Sequence, residues 1–259
     1  KSNPKINKDV FITRASLNKD YTFHGEPLDK SIEYLLGGYN RELDQFLKLQ
    51  RQLDSKITSS PKVSKFENTV VGSRIHIPNA LAGSPNFMIK PSNYEEQKFV
   101  NIYFNFSYSE RTMEEEIRNR GLITLNLIRL LENNNYKVNL STFSLSYIGD
   151  EYMYIMIQLK KYNSNLSVSD CYFPFVSKEF SRRILFYCKE TMPVEHKNWG
   201  FNYGRVFTLD QMRNILNLKE NDILIGSPTY MGVNEDLEES VNNMFEKINI
   251  NKYVKIKEM

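Results

Sequence analysis

Asn105, Ser107 and Ser109 are the residues whose types and spacing most suggest chemistry. They sit at the end of the apolar run Phe99-Val-Asn-Ile-Tyr-Phe. An amide and two hydroxyls at alternate positions can hold a hydrated divalent cation such as Mg2+. A hard cation prefers anionic oxygen, however, and Asn offers only a neutral carbonyl. The same side chains suit the plainer work of capping the following helix and tying loops together. A second set interleaves cations with aromatics: Lys178, Arg182, Arg183, Tyr187 and Lys189, then Tyr203, Arg205 and Phe207, with the single Trp199 between them. Such groups pair with phosphates and stack on bases, so Lys178, Arg182, Arg183, Arg205 and Trp199 are the candidate contacts to a partner or a nucleic acid. They read equally as a solvated helix face, with the arginines paired to Glu179 or Glu190. His24, His76 and His196 have no zinc-pair spacing; His196 beside Glu195 is the one conceivable acid/base group. No phosphate-cradling glycine loop and no serine-hydrolase elbow occurs. No catalytic residue is assigned.

The elements that must position these residues alternate from residue 99 onward. Strand 99–106 is nearly continuous in apolar residues, as in strands covered on both faces. Thr112-Met-Glu-Glu115 reads as a capping box opening helix 112–132, with Gly121 set for close approach to the sheet. Strands 136–145 and 151–160 flank a turn at Gly149-Asp150 and form an antiparallel hairpin at the sheet edge. Helix 168–190 carries both cysteines, with Pro174 kinking or dividing its first turn. A capped helix at 208–217, strand 222–226, helix 235–248 behind Asn234 and a last strand at 253–256 complete the series. The class this order predicts is α/β, a mainly parallel sheet with one antiparallel edge strand, flanked by helices.

Before residue 99 the pattern is weaker. Residues 1–65 read as a polar arm and a helical extension, with Leu28, Ile32, Leu35 and Leu36 on one helix face and Tyr39, Leu43, Phe46, Leu47 and Leu53 on the next. Residues 66–98 read as a connector: a short strand, a turn after Pro78 and a tight Gly-Ser-Pro turn. Residues 99–259 form the α/β domain. The 259 residues are 41% hydrophobic and 25% charged, with a net charge of +3, so a sizeable core is available and the basicity alone does not dictate a nucleic-acid partner. No apolar run is long enough to span a bilayer. The polar start, without a signal core or Met, predicts a piece trimmed from a longer chain. Two cysteines are too few for a disulfide framework or a zinc site; both are expected as small buried hydrophobes.

Asn105-x-Ser107-x-Ser109 is one substitution away from the Asp-x-Ser-x-Ser metal signature of von Willebrand factor A-type domains, which the chain resembles over roughly 99–256 in strand order and in this motif. The resemblance implies a cation site completed by a Thr on a second loop and an Asp after the next central strand. Here Ser164 and Ser167 occupy that loop, and Gly226-Ser227-Pro228-Thr229 supplies no Asp. The implied metal site is degenerate, so no cofactor is expected, with Mg2+ the alternative. A second resemblance rests on Val71-Gly72, Ile77-Pro78, Leu81-Ala-Gly-Ser-Pro85, Arg120-Gly121 and Arg182-Arg183-Ile-Leu-Phe186. This pattern, over roughly 30–190, is similar to uncharacterised proteins of tailed phages, and implies phage origin without an activity. The reading favoured is a non-enzymatic protein–protein interaction or assembly module. Its partner would be a protein of a phage or host complex, in the host cytoplasm or the virion and not in a membrane. A nucleic-acid-binding subunit of a replication, transcription or packaging complex is the alternative, and a metal-dependent enzyme or a His196 hydrolase the next.

Overall fold

The computed structural model describes residues 24–39, 43–56, 66–91, 97–148, 151–191 and 206–254. The expected turn at Gly149-Asp150, and Trp199, Arg205 and His196, lie outside these.

The chain divides into two compact units, one of residues up to Ile57 together with Phe99–Met259, the other Thr58–Lys98. The larger contains a four-stranded sheet in the order β6-β5-β4-β7. Strand β4 (Lys98–Asn105) is central. It pairs in parallel with β7 (Ile223–Ile225), matching Ile102 to Ile223 and Phe104 to Ile225. On its other side is β5 (Tyr136–Ile148). Asn139 bonds Asn101, and the N–H of Phe106 bonds the carbonyl of Phe143. The contacts advance in the same direction along both strands, so β5 runs parallel to β4. Strand β6 (Glu151–Lys160) returns antiparallel, with Leu145 opposite Tyr154. The expected parallel sheet with an antiparallel edge is what forms, and the 105–109 tip crowns its middle.

One sheet face buries Val100, Ile102, Phe104, Val138 and Leu140 beneath α4 (Glu114–Asn133). Three acids open α4, where they meet the positive end of its dipole. The Glu116 carboxylate accepts the N–H of Met113 at 2.8 Å, so the cap sits one residue later than Thr112. The other face is covered only in part. Phe143, Leu145 and Leu224 are buried with Phe207 and Met212, but Phe99 stays 59% exposed, so β4 is not covered on both faces throughout.

The stretch expected as one helix at 168–190 is three pieces: α5 (Val168–Val176), a π-helical turn (Phe180–Leu185) and α6 (Phe186–Thr191). Pro174 lies within α5, and the break comes at Ser177, whose backbone is extended. Gly121 serves α5 and not the sheet: a Cβ there would collide with the Phe175 carbonyl.

Helix α2 (Leu43–Lys56) belongs to this same unit. Phe46, Leu49 and Leu53 join the main core, and Arg129 of α4 donates to Gln50 at 2.6 Å. Helix α1 (Leu28–Gly37) is rotated from the expected orientation. Ser31 is buried, its hydroxyl bonded to the Pro27 carbonyl, and Tyr34 packs on Phe173, while Ile32, Leu35 and Leu36 face outward.

In the smaller unit, β1 (Phe66–Thr69), β3 (Met88–Pro91) and β2 (Arg74–Ile75) form an antiparallel sheet in that order. Pro78 opens a helix, α3 (Ile77–Leu81), in place of the expected turn; Pro fits the first turn because its missing N–H is not needed there.

Helix α7 (Leu209–Ile215) carries the Thr208–Gln211 capping box as read. The short helix α8 (Pro228–Met231) has no counterpart in the sequence reading. Helix α9 (Leu237–Lys247) is capped by Asp236, which accepts from Glu238 and Glu239, and not by Asn234. Tyr253 and Val254 follow a 3-10 turn (Ile250–Lys252) and are not in a strand; the rest of the expected strand, 255–256, lies outside the described residues.

Gly121→Ala should lower the unfolding free energy by about 1–3 kcal/mol through overpacking, although Ala gains about 1 kcal/mol in helix propensity. Urea denaturation of the two chains checks this.

Candidate functional site

The carboxyl ends of β4, β5 and β7 gather the polar groups of this molecule. Open α/β sheets place their ligand sites there. At the end of β4, Asn105 is fully buried. Its Oδ1 accepts the N–H of Ser107 at 2.9 Å, and its Nδ2 points at the Met212 sulfur at 3.3 Å. The Ser107 hydroxyl turns to Ser144 of β5, with the two oxygens 2.9 Å apart. The Ser109 hydroxyl accepts the N–H of Arg111. Asn105, Ser107 and Ser109 thus direct their oxygens to separate internal partners and do not converge on a common point. As a donor set they are neutral and spent, which does not suit a divalent ion. Among the described residues, no group of three or more His, Cys, Asp or Glu is placed to hold a metal.

A protein cation lies beside the tip. Arg120 of α4 is 1% exposed and donates through one terminal nitrogen to the carbonyls of Asn105 (2.9 Å) and Gly226 (2.7 Å). Its guanidinium stacks over Phe104 at 4.4 Å and lies 5.8 Å from the Tyr108 ring. Burial pushes it down to about 9, so it remains charged at neutral pH. Its Nε and the hydroxyl of Ser227, both buried, have no hydrogen-bond partner among the described residues.

The π-helical turn adds three more groups. Its wider winding turns consecutive residues inward: Ser181 donates to the Phe106 carbonyl, Arg182 to those of Ser109 and Glu110, and Arg183 to those of Gly25 and Glu26. Arg182 also lies over the Tyr108 ring at 5.1 Å. The Tyr108 hydroxyl donates to the Lys178 carbonyl, and burial pushes it up to about 12. Lys178 pairs with Glu114 at 2.8 Å. Of the expected contact residues, Lys178, Arg182 and Arg183 therefore stand together. The two arginines are 5% and 0% exposed, which sets them in the interior and not on a solvated face.

The sequence reading missed Lys189, Ser144 and Ser146 as a group. Lys189 Nζ, 1% exposed, donates to both hydroxyls at 2.8 Å, and Ser144 continues to Ser107. Burial pushes the amine down to about 7. A base of that strength against a hydroxyl is the arrangement that activates serine nucleophiles, although all three serines here are buried. The signal was present: hydroxyls at 144 and 146 alternate with Phe143 and Leu145, giving β5 a polar stripe that needed a partner.

A cavity of about 310 Å3 lies at the opposite end of β7. Three of its charged groups are engaged: Arg213 donates to the carbonyls of Lys219 and Asp222, Asp222 accepts from Asn101 and the Lys219 N–H, and Lys252 donates to Asn221.

Residues 1–252 match a family described as a domain of unknown function, DUF7192, and the chain belongs to that family. No curated protein and no solved structure matches it. Among the described residues no helix is long and apolar enough to cross a membrane.

Arg120→Met strips the carbonyls of Asn105 and Gly226 of their donor and should cost about 1–3 kcal/mol per acceptor in unfolding free energy. For Lys189, the folded chain releases the proton near 7 and the unfolded chain near 10.5. Between those values unfolding takes up a proton, so this group makes stability rise with pH; below about 7 both states hold the proton and the desolvation cost stands in full. Lys189→Met should flatten the rise seen in urea midpoints between about pH 7 and pH 9.5.

Proposed function

We propose that this chain is a non-enzymatic binding or assembly module that engages a protein partner through the tip above the sheet. The observation that carries the reading is the Arg120 guanidinium bonded to the carbonyls of Asn105 and Gly226. The tip is already fastened by a cation of the protein itself and needs no metal for its shape. The residues beyond that clamp face outward: Glu110 and Arg111 are exposed, and Met113 is 52% exposed. A central strand ending in Asn-x-Ser-x-Ser between two parallel neighbours, with an antiparallel edge strand, supports a von Willebrand A-like classification whose metal function is lost. The assignment to a phage or host complex rests on the sequence resemblance alone. The nucleic-acid alternative has less support on these arginines, since their hydrogen bonds go to internal carbonyls and phosphates would have to displace them.

A second reading, an acyl-transfer enzyme, is favoured by one observation: Lys189 against Ser144 and Ser146. In that reading a serine oxygen attacks the carbonyl carbon, its proton passes to the neutral amine, and the leaving group takes that proton as it departs.

Three measurements separate these readings. Millimolar Mg2+ or Mn2+ should leave the melting temperature unchanged; a rise that Ser107→Ala abolishes would restore the metal site. Affinity capture from expressing cells should yield a protein partner that survives nuclease and is lost in the triple variant Glu110→Arg, Arg111→Glu, Met113→Asp. Partners unaffected by the triple variant would sink the tip reading, and loss of every partner on nuclease treatment would favour nucleic acid. A fluorophosphonate probe should not label the chain; labelling that disappears in Ser144→Ala would favour the enzyme.

A further inference from the structure

Strand β6 is the outer strand of the main sheet, and no described residue pairs with its free edge. Between Tyr152 and Leu159 it reads Tyr-Met-Tyr-Ile-Met-Ile-Gln-Leu, without a charge, proline or glycine. From Glu151 to Gln158 its register on β5 is unbroken, and the one irregularity comes at its end, beside Leu140 and Ser141. Apolar side chains stand exposed on both of its faces: Tyr152 (52%), Tyr154 (53%) and Met156 (42%) on one, Ile157 (36%) on the other. An edge strand that meets only water is normally short, charged, kinked or covered, because its free N–H and C=O groups template pairing. A strand apolar on both faces is the pattern of a sheet interior.

We propose that β6 is a self-association edge: two copies of this chain pair β6 to β6, antiparallel, about a two-fold axis centred on Met156. The axis stands perpendicular to the sheet, so each residue faces one on the same side of the sheet. Tyr154 then lies opposite Gln158, Ile155 opposite Ile157, and Met156 opposite its own copy. The charges argue for a second copy as the occupant. Glu151 opens the strand and Lys161 follows its last residue, so antiparallel self-pairing brings position 151 of each copy level with Lys161 of the other. Two sheets of four strands become one continuous sheet, and the edges that remain are the short β7 strands. This assembly is independent of the tip reading, because it uses the opposite flank of β5 from the strand that bears the tip.

Sedimentation equilibrium of the full chain should return twice the 30.5 kDa monomer mass. Met156→Lys and, separately, Tyr154→Lys should return the monomer, with circular dichroism unchanged because both side chains are exposed. Register is tested by introducing a thiol. Directly opposed residues in an antiparallel pair have Cβ atoms about 4.5–5.5 Å apart. The Met156→Cys variant should therefore cross-link to its copy under mild oxidation, while the Tyr154→Cys variant should not. A wild-type monomer at about 100 μM, well above the range of a specific stable dimer, overturns the proposal; so does a monomer that takes up nucleic acid or another protein along this strand. A dimer that persists in both lysine variants overturns it equally, as does cross-linking by Tyr154→Cys without cross-linking by Met156→Cys.

Discussion

Removing a guanidinium from water is costly, and Arg120 can sit at the head of this sheet only because its surroundings replace that water. The carbonyls of Asn105 and Gly226 take its hydrogen bonds, and the ring of Phe104 lies against its face. In exchange it ties the end of β4 and the first residue beyond β7, strands already paired there through Phe104 and Ile225, to the second turn of α4, which no backbone ladder joins to them. Gly121, the next residue, lets the same helix close on the Phe175 carbonyl. The Arg120-Gly121 pair thus sets both the height of the helix over the sheet and its distance from α5. The geometry of the 105–109 tip follows from that placement.

Three other buried cations also bond neutral oxygens, whereas buried Lys160 pairs with the Glu132 carboxylate at 2.8 Å. Arg182 and Arg183 donate to backbone carbonyls, and Lys189 donates to two serine hydroxyls. For Arg182 and Arg183, the π-helical winding at Phe180–Leu185 brings these oxygens within reach. A regular α-helix would direct Ser181, Arg182 and Arg183 more widely around its axis, and one of them would face away from the body. The irregular turn is therefore part of how this polar interior is satisfied.

Much of the architecture was legible because it is written in local terms. The apolar run at 99–106, the hairpin strands and the Thr208–Gln211 box each carry a signal that tertiary context did not override. The failures have physical reasons. Leu35 and Leu36 promised a buried face on α1, but Ser31 and Tyr34 make the contacts, because a hydroxyl bonded back to Pro27 and a ring against Phe173 pack more closely there. Arg182-Arg183 carries no sequence mark distinguishing interior from surface, since a π-turn has no composition of its own. Asn105, Ser107 and Ser109 were found where the motif put them, yet which way each oxygen points depends on Ser144, Met212 and Arg111, two of them distant in the chain. Lys189 was read only with its helical neighbours, because its partners are serines on another element and no spacing rule connects them.

The main unit is assembled from two stretches of chain separated by the Thr58–Lys98 unit. Phe46, Leu49 and Leu53 find their cover against α4 and its neighbours, which are translated only after that whole interval. Helix α2 therefore leaves the ribosome with an uncovered greasy stripe for the time it takes to make some eighty further residues, a delay of seconds at cellular elongation rates. Holdase chaperones that recognise such stripes have their opportunity on this segment of the nascent chain, before any of the main sheet exists.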